Sequence, residues 1–439
     1  MLDYKSSRTL SQLALKDKWI ETKGNSCIEA ATGYGKSLIA VFIIQEMNKR
    51  NPLCTTFIVV PTINLKNDWE SKNGYINSFK LLNVEIYVLN SYIKEHKKCD
   101  LLIIDEVHNV LNNKSVYFST AISITTYRYF LGLSATLEDK HKEFLKELNI
   151  NILATITLKE AEQNGWISKY KILCVPISLN DEDTIYYQKL HSEFNKHFAM
   201  FNFNFETAMS CVTSKEARYR LSLNLNWDIG RVNASVFNWN RNMRLRKEFL
   251  YHVQSKLDAA RNICKTLNLK TILFGESQKG AEWLTEELGN KCVTYHSKMK
   301  AKERKEALQL LYDGRTKVKW ISSVKALTEG FDMKDLECGI VWSRTSTSLD
   351  ATQRCGRVAR FVEGKTAYII ELYIASYIDD KGKVHSVQDE KWLRKSLKGQ
   401  KNILWLNSIE QIYQIINNHD SNRPISENGN LHYQLKAGN

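Results

Sequence analysis

The chain has 439 residues, enough for two or three domains at about 150 residues each, and its 43 % hydrophobic and 25 % charged residues are the balance of a globular protein rather than a disordered or fibrous one. Lys and Arg number 62 against 48 Asp and Glu, and the resulting net charge of +14 suits a polyanionic partner, nucleic acid ahead of an anionic membrane. No apolar run approaches the ~18 residues that span a bilayer, Met1 to Lys5 lacks the apolar core of a signal peptide, and the nine cysteines form no C-x-x-C pair, so a cytoplasmic protein with buried thiols and no membrane partner is expected.

In chain order, Ser26 to Ala30 reads as a strand leading into a glycine-rich turn, and Ser37 to Lys49 as a helix. Strands follow at Thr56 to Val60, stopped by Pro61, then at Val84 to Leu89, Leu101 to Ile104 and Tyr129 to Leu133. Apolar strands separated by helical stretches predict a parallel sheet covered on both faces. A second set runs through Lys171 to Ile177, Thr271 to Phe274, Val318 to Ser322, Gly339 to Trp342 and Thr366 to Leu372. Between about 181 and 250 the period becomes helical, the stretch is rich in Asn, Phe, Tyr and Trp, and it ends in a basic run containing Arg241, Arg244 and Arg246. The expected organisation is a first α/β domain over 1–168, a second over 169–378 with a helical insertion at 181–250, and an extension over 379–439.

Ala30-Ala31-Thr32-Gly33-Tyr34-Gly35-Lys36-Ser37 joins a strand to a helix. Glycines let backbone N–H groups curl toward phosphate oxygens, and the helix N-terminus adds its positive end. Thr32, Gly33 and Gly35 would form the cradle, Lys36 would reach the β/γ-phosphates and Ser37 would hold Mg²⁺. Ala30 stands where the strict phosphate-loop pattern asks for Gly. Asp105-Glu106-Val107-His108 follows an apolar strand, at the edge where open α/β sheets place their chemistry. There Asp105 can hold Mg²⁺ largely through water, and Glu106 can polarise an attacking water.

With further motifs in the same order, the chain resembles the superfamily-two DExH helicases and translocases. Gln12 resembles the adenine-reading Q motif, Val60-Pro61-Thr62 motif Ia, and Ser134-Ala135-Thr136 the third motif. Phe274 to Ser277 resembles motif IV, Tyr295-His296-Ser297 motif IVa, Ser323 to Asp332 motif V, and Gln353-Arg354-Cys355-Gly356-Arg357-Val358-Ala359-Arg360 motif VI. The resemblance implies two tandem RecA-like domains that close on ATP with Mg²⁺. It gives Gln353, Arg357 and Arg360 a catalytic role at the γ-phosphate, and Gly330 and Asp332 a place at the nucleotide. Pro61, Thr62 and Ser277 become backbone contacts for nucleic acid, and His108, Ser134 and Thr136 a coupling path. For Arg354, a role in the site and a structural ion pair stand as alternatives.

The DExH form, the Gln-Arg start of motif VI and Gly-Phe-Asp in motif V resemble the XPB/UvsW-like, DNA-directed branch, which includes phage branch-migration helicases and restriction-enzyme motors. The expectation is therefore an ATP-dependent DNA helicase acting on branched or forked DNA with little sequence preference, a monomer in the simplest case. RNA ranks behind DNA. A double-strand translocase that does not separate strands, an RNA helicase, and a nucleic-acid-binding scaffold with a dead ATPase are the alternatives. In the insertion, Arg241, Arg244 and Arg246 would bind phosphates, while most of its aromatics would form a small core of their own.

Overall fold

The computed structural model describes residues 3–94, 97–111, 121–324, 333, 335–345, 347–378, 382 and 384–419. Gly330 and Asp332 of motif V lie outside the described residues.

The central apolar runs become strands because they are buried along their whole length: Thr56–Val60 and Leu101–Asp105 expose no residue on either face, whereas the edge strand Val84–Val88 is only partly covered. The first sheet has six parallel strands in the order Val84–Val88, Thr56–Val60, Leu101–Asp105, Tyr129–Ser134, Asn25–Ala30 and Asn151–Ile156. Every strand end that carries a predicted ATP motif of this lobe therefore lies at one sheet edge. The helix Lys36–Arg50 returns across the sheet and buries Ile39, Ala40, Val41, Ile43 and Ile44.

The second sheet has seven parallel strands in the order Cys292–Tyr295, Trp320–Val324, Thr271–Gly275, Cys338–Val341, Thr366–Ile374, Lys169–Ile177 and Ile403–Trp405. Its last strand comes from the segment read from sequence as an extension. Ile403 pairs with Ile172, and Ile412 and Ile416 of the final helix Glu410–His419 enter this lobe's core. One continuous buried cluster joins Ile28 and Ile58 of the first lobe, Trp166 and Ile167 of the connection, and Ile172, Val358 and Ile369 of the second. The lobes are closed on each other.

Residues 181–250 form the expected helical insertion. Asp181–Phe198 packs along Ile229–Tyr251, with Phe205–Thr213 and Lys215–Leu225 between them in sequence. Phe194, Phe201, Val232, Val236 and Trp239 make a separate small core, and the rings of Phe198, Phe201 and Phe205 surround Trp239 at 5.5–5.8 Å. All nine cysteines are buried as free thiols, and among the described residues no helix is long and apolar enough to cross a membrane.

Candidate nucleotide-binding cleft

Gly33 and Gly35 both take φ near 95°, a conformation that side chains resist, and Lys36 opens the helix directly after them. Ala30 is the last residue of its strand and has no positive φ, so the position needs no glycine; its carbonyl accepts from Lys36 Nζ at 3.1 Å. Gln12 is fully buried against the loop. Its Nε2 donates to the Tyr34 carbonyl at 2.7 Å and the Gly35 carbonyl at 3.3 Å, while Oε1 makes no hydrogen bond. On the same helix, Arg8 reaches the connection between lobes, donating to the Trp166 carbonyl at 3.2 Å.

Across the loop, Lys36 Nζ stands 4.0 Å from Glu106 Oε1. Burial pulls the Lys36 pKa down, against the opposing pull of Glu106 and Asp105. Asp105 is pushed up to about 6 by burial first and by the Glu106 charge second. Burial acts to raise Glu106 as well, but Lys36, His108 and Arg357 outweigh it and hold this carboxyl below its usual range. The two neighbours are thus driven apart, which is how one site keeps two carboxyls in different roles. Glu106 takes a left-handed φ of 50°, and its N–H donates to Asp105 Oδ1 at 3.0 Å.

His108 Nδ1 lies 3.0 Å from Ser134 Oγ and 3.4 Å from Glu106 Oε2. Ser134 gives its own proton to the Thr136 carbonyl at 2.9 Å, so the imidazole Nδ1–H is the donor toward Ser134. The predicted coupling residues form one contiguous chain that starts at the Glu106 carboxylate.

The second lobe supplies the opposite wall through the helix Ser348–Val358. Its Gly356 meets the phosphate loop with bare backbone: a Cβ there would lie 2.3 Å from Thr32 Cβ and 2.8 Å from the Thr32 carbonyl. Arg357 and Arg360 consequently line one cavity with Thr32, Gly33, Gly35, Lys36, Ser37, Asp105 and Glu106. Asp68, Trp69 and Tyr75 close its side. Those three were not singled out from sequence, because they stand in an ordinary amphipathic stretch with no motif. The cavity measures about 110 Å³, a few water volumes, between the two lobes. Gln353 is buried on the same helix, outside the cavity's lining. Arg354 turns toward the sheet, with Nη2 3.8 Å from Glu371 Oε1, which settles it as a structural ion pair.

The residues expected at nucleic acid divide. Pro61 and Thr62 sit half-buried at the end of their strand, where Thr62 Oγ1 accepts from the Leu65 N–H at 3.4 Å. One turn on, Asn64 Nδ2 donates to the Tyr295 hydroxyl of the second lobe at 3.1 Å, bridging motifs Ia and IVa. Ser277 departs from its expected role: it is buried, caps the helix Gln278–Leu288 and bonds His252 Nε2 at 2.5 Å. Arg246 departs as well. It is 6 % exposed, lies over the Phe194 ring at 3.8 Å and bonds His191 at 3.0 Å, whereas Arg241 and Arg244 are exposed.

Comparison with known proteins finds matches in both lobes. Residues 5–88 match the res subunit of type III restriction enzymes, and residues 255–362 match the helicase conserved C-terminal domain. Over 391 residues the chain is 24 % identical to Putative helicase 22 of Sulfolobus islandicus filamentous virus (isolate Iceland/Hveragerdi), covering 80 % of this chain and 60 % of that protein. It thus spans three fifths of the length of that curated relative. Solved structures that share the fold include the following two. S. cerevisiae Dbp5 bound to RNA and ADP BeF3 has a TM-score of 0.58 at 12 % identity, over 93 % of this chain and 92 % of that one. The ATP-dependent Type ISP restriction-modification enzyme LlaBIII bound to DNA has a TM-score of 0.55 at 13 % identity, over 93 % of this chain and 31 % of that one. The chain thus folds as two tandem RecA-like domains, the first carrying the match to the res subunit of type III restriction enzymes and the second the match to the helicase conserved C-terminal domain.

Proposed function

We propose that the chain is an ATP-driven DNA helicase or translocase that remodels branched or forked DNA. One observation carries the reading: Lys36, Asp105 and Glu106 of the first lobe and Arg357 and Arg360 of the second line a single cavity. A triphosphate seated on the Gly33–Gly35 loop would meet Lys36 from one side and the two guanidinium groups from the other, where charge develops during phosphoryl transfer. Glu106, kept ionised by Lys36, is the group placed to orient and deprotonate the attacking water. Ser37 and Asp105 are hard oxygen donors on the same wall and would hold Mg²⁺, which neutralises phosphate charge when bound. Thr32 Oγ1 is buried there without a hydrogen bond, as a group awaiting a polar ligand would be.

Hydrolysis and release would part the lobes, and the path from Glu106 through His108 and Ser134 to Thr136 would carry that change away from the phosphates. Nucleic acid would lie along the Pro61–Thr62 rim, with the insertion adding Arg241, Arg244 and the exposed Phe237. DNA is favoured by the restriction-enzyme match over residues 5–88 and by the Gln-Arg start of motif VI. The test compares ATPase stimulation and strand separation on forks, four-way junctions, blunt duplex and RNA. Strongest stimulation with unwinding on branched DNA is expected. Equal stimulation by blunt duplex without unwinding would make it a double-strand translocase, stimulation by RNA alone an RNA helicase, and no stimulation at all would overturn the motor.

A further inference from the structure

A group of buried charges stands apart from the cleft, in the interior of the second lobe. Arg344 Nε donates to Glu371 Oε2 at 3.0 Å and its Nη1 to Asp389 Oδ1 at 3.3 Å. Lys256 Nζ donates to Asp389 Oδ2 at 2.9 Å, an oxygen that also accepts the Ile374 N–H at 2.9 Å. Arg354, on the helix that bears Arg357 and Arg360, joins through Glu371. All five side chains are between 0 and 4 % exposed. Buried ion pairs are poor stabilisers, because desolvation consumes most of the attraction; their best-attested use is to fix which elements lie together.

Here they fix the arginine helix to the C-terminal segment. Asp389 belongs to the helix Gln388–Ser396, which packs against the arginine helix. The chain then turns, and Gln400 Nε2 donates to Thr352 Oγ1 of the arginine helix at 2.7 Å. Two residues on, Asn402 Nδ2 donates at 2.7 Å to Glu162 Oε2 of the helix Leu158–Gln163, in the connection between lobes. Glu162 Oε1 in turn accepts the N–H of Tyr170, at the start of the second lobe, at 3.2 Å. The same turn, with Lys398 to Lys401, faces Ala135 and Thr136 of the first lobe across a cleft.

We propose that residues 388–405 are a brace that positions the arginine helix, with Asp389, Gln400 and Asn402 as its positioning residues. The inference rests on reading the cleft as an ATPase site. By holding the helix at two points and the hinge at one, the brace sets the distance of Arg357 and Arg360 from the phosphate loop. A displacement of about 1 Å in such a constellation costs on the order of a hundredfold in rate.

The test uses the full chain carrying Gln400→Ala with Asn402→Gly. Both residues stand at the surface or nearly so, and glycine suits the φ of 60° at position 402, so the fold survives. The expected result is a kcat for ATP hydrolysis lowered about tenfold or more, with KM changed less than about twofold. Amide exchange in peptides covering 348–358 is expected to quicken while that of 36–50 holds. Gln400→Glu, which keeps the pairing by accepting the Thr352 hydroxyl proton in place of donating to that oxygen, is expected to restore most of the rate. Unchanged kcat together with unchanged exchange would overturn the brace. Wild-type protein that hydrolyses no ATP would bring down the motor reading instead, and the exchange measurement alone would then decide whether these residues hold the helix.

Discussion

The helix Ser348–Val358 with the residues just after it and the insertion helix Ile229–Tyr251 each present three arginines within a short stretch, Arg354, Arg357 and Arg360 in one and Arg241, Arg244 and Arg246 in the other. In both places the fold takes one of the three. Arg354 is turned to the sheet and paired with Glu371, and Arg246 is turned to the neighbouring helix beneath Phe194 and His191. What remains differs in kind. Arg357 and Arg360 are enclosed against the phosphate loop, where a low local dielectric magnifies their charge. Arg241 and Arg244 stand in water, where charge is screened and acts by displacing counterions from a polyanion. Under the proposed function, the same residue type would serve rate in one place and affinity in the other, according to what surrounds it.

That contrast can be broken from its strongest end. Lys36→Ala removes the group facing the arginines and should abolish ATP turnover with the circular dichroism spectrum unchanged; surviving turnover would mean that the cleft is not the site. Arg357→Ala should lower kcat by roughly 10³ while weakening ATP binding far less, measured by turnover beside nucleotide titration. Gly356→Ala forces a methyl group onto Thr32 and should cost about a hundredfold in kcat by wedging the lobes apart, with little change in melting temperature. In the insertion, Arg246→Ala should cost about 2 kcal/mol in denaturant unfolding, by losing its packing over Phe194. The smallest effect sharpens the contrast most. Arg241→Ala with Arg244→Ala should leave stability within about 0.5 kcal/mol and flatten the salt dependence of DNA binding by a slope of about 2. A double variant with unaltered affinity would make that face plain surface.

Much of this architecture could be read from the chain. The central strands announce themselves as unbroken apolar runs such as Leu101 to Ile104, since a parallel strand is buried on both faces. The short edge strands Cys292–Tyr295 and Ile403–Trp405 and the half-exposed Asn151–Ile156 lack that pattern and show only once pairing is known. In the cleft, the loop glycines were legible because backbone geometry dictates their type, and Lys36, Asp105 and Glu106 because phosphate and Mg²⁺ call for those charges at that sheet edge. Asp68 and Tyr75 were not, because a helix face becomes a cavity wall only after folding. Arg246 did leave a signal: Val232, Val236, Trp239, Met243 and Leu250 form a stripe at helical spacing that passes through position 246. Ser277 was read as a motif residue; its cap is local, to the Gly280 N–H, but its bond to His252 crosses 25 residues to the segment just after the insertion and shows only in the fold.

The apolar cluster that runs without a break from one lobe into the other would bear on the proposed cycle. Each opening that releases spent nucleotide would wet part of that seam, which favours the shut form and makes opening uphill. Wetting hydrocarbon raises heat capacity, so an Eyring plot of turnover limited by that opening is bound to curve.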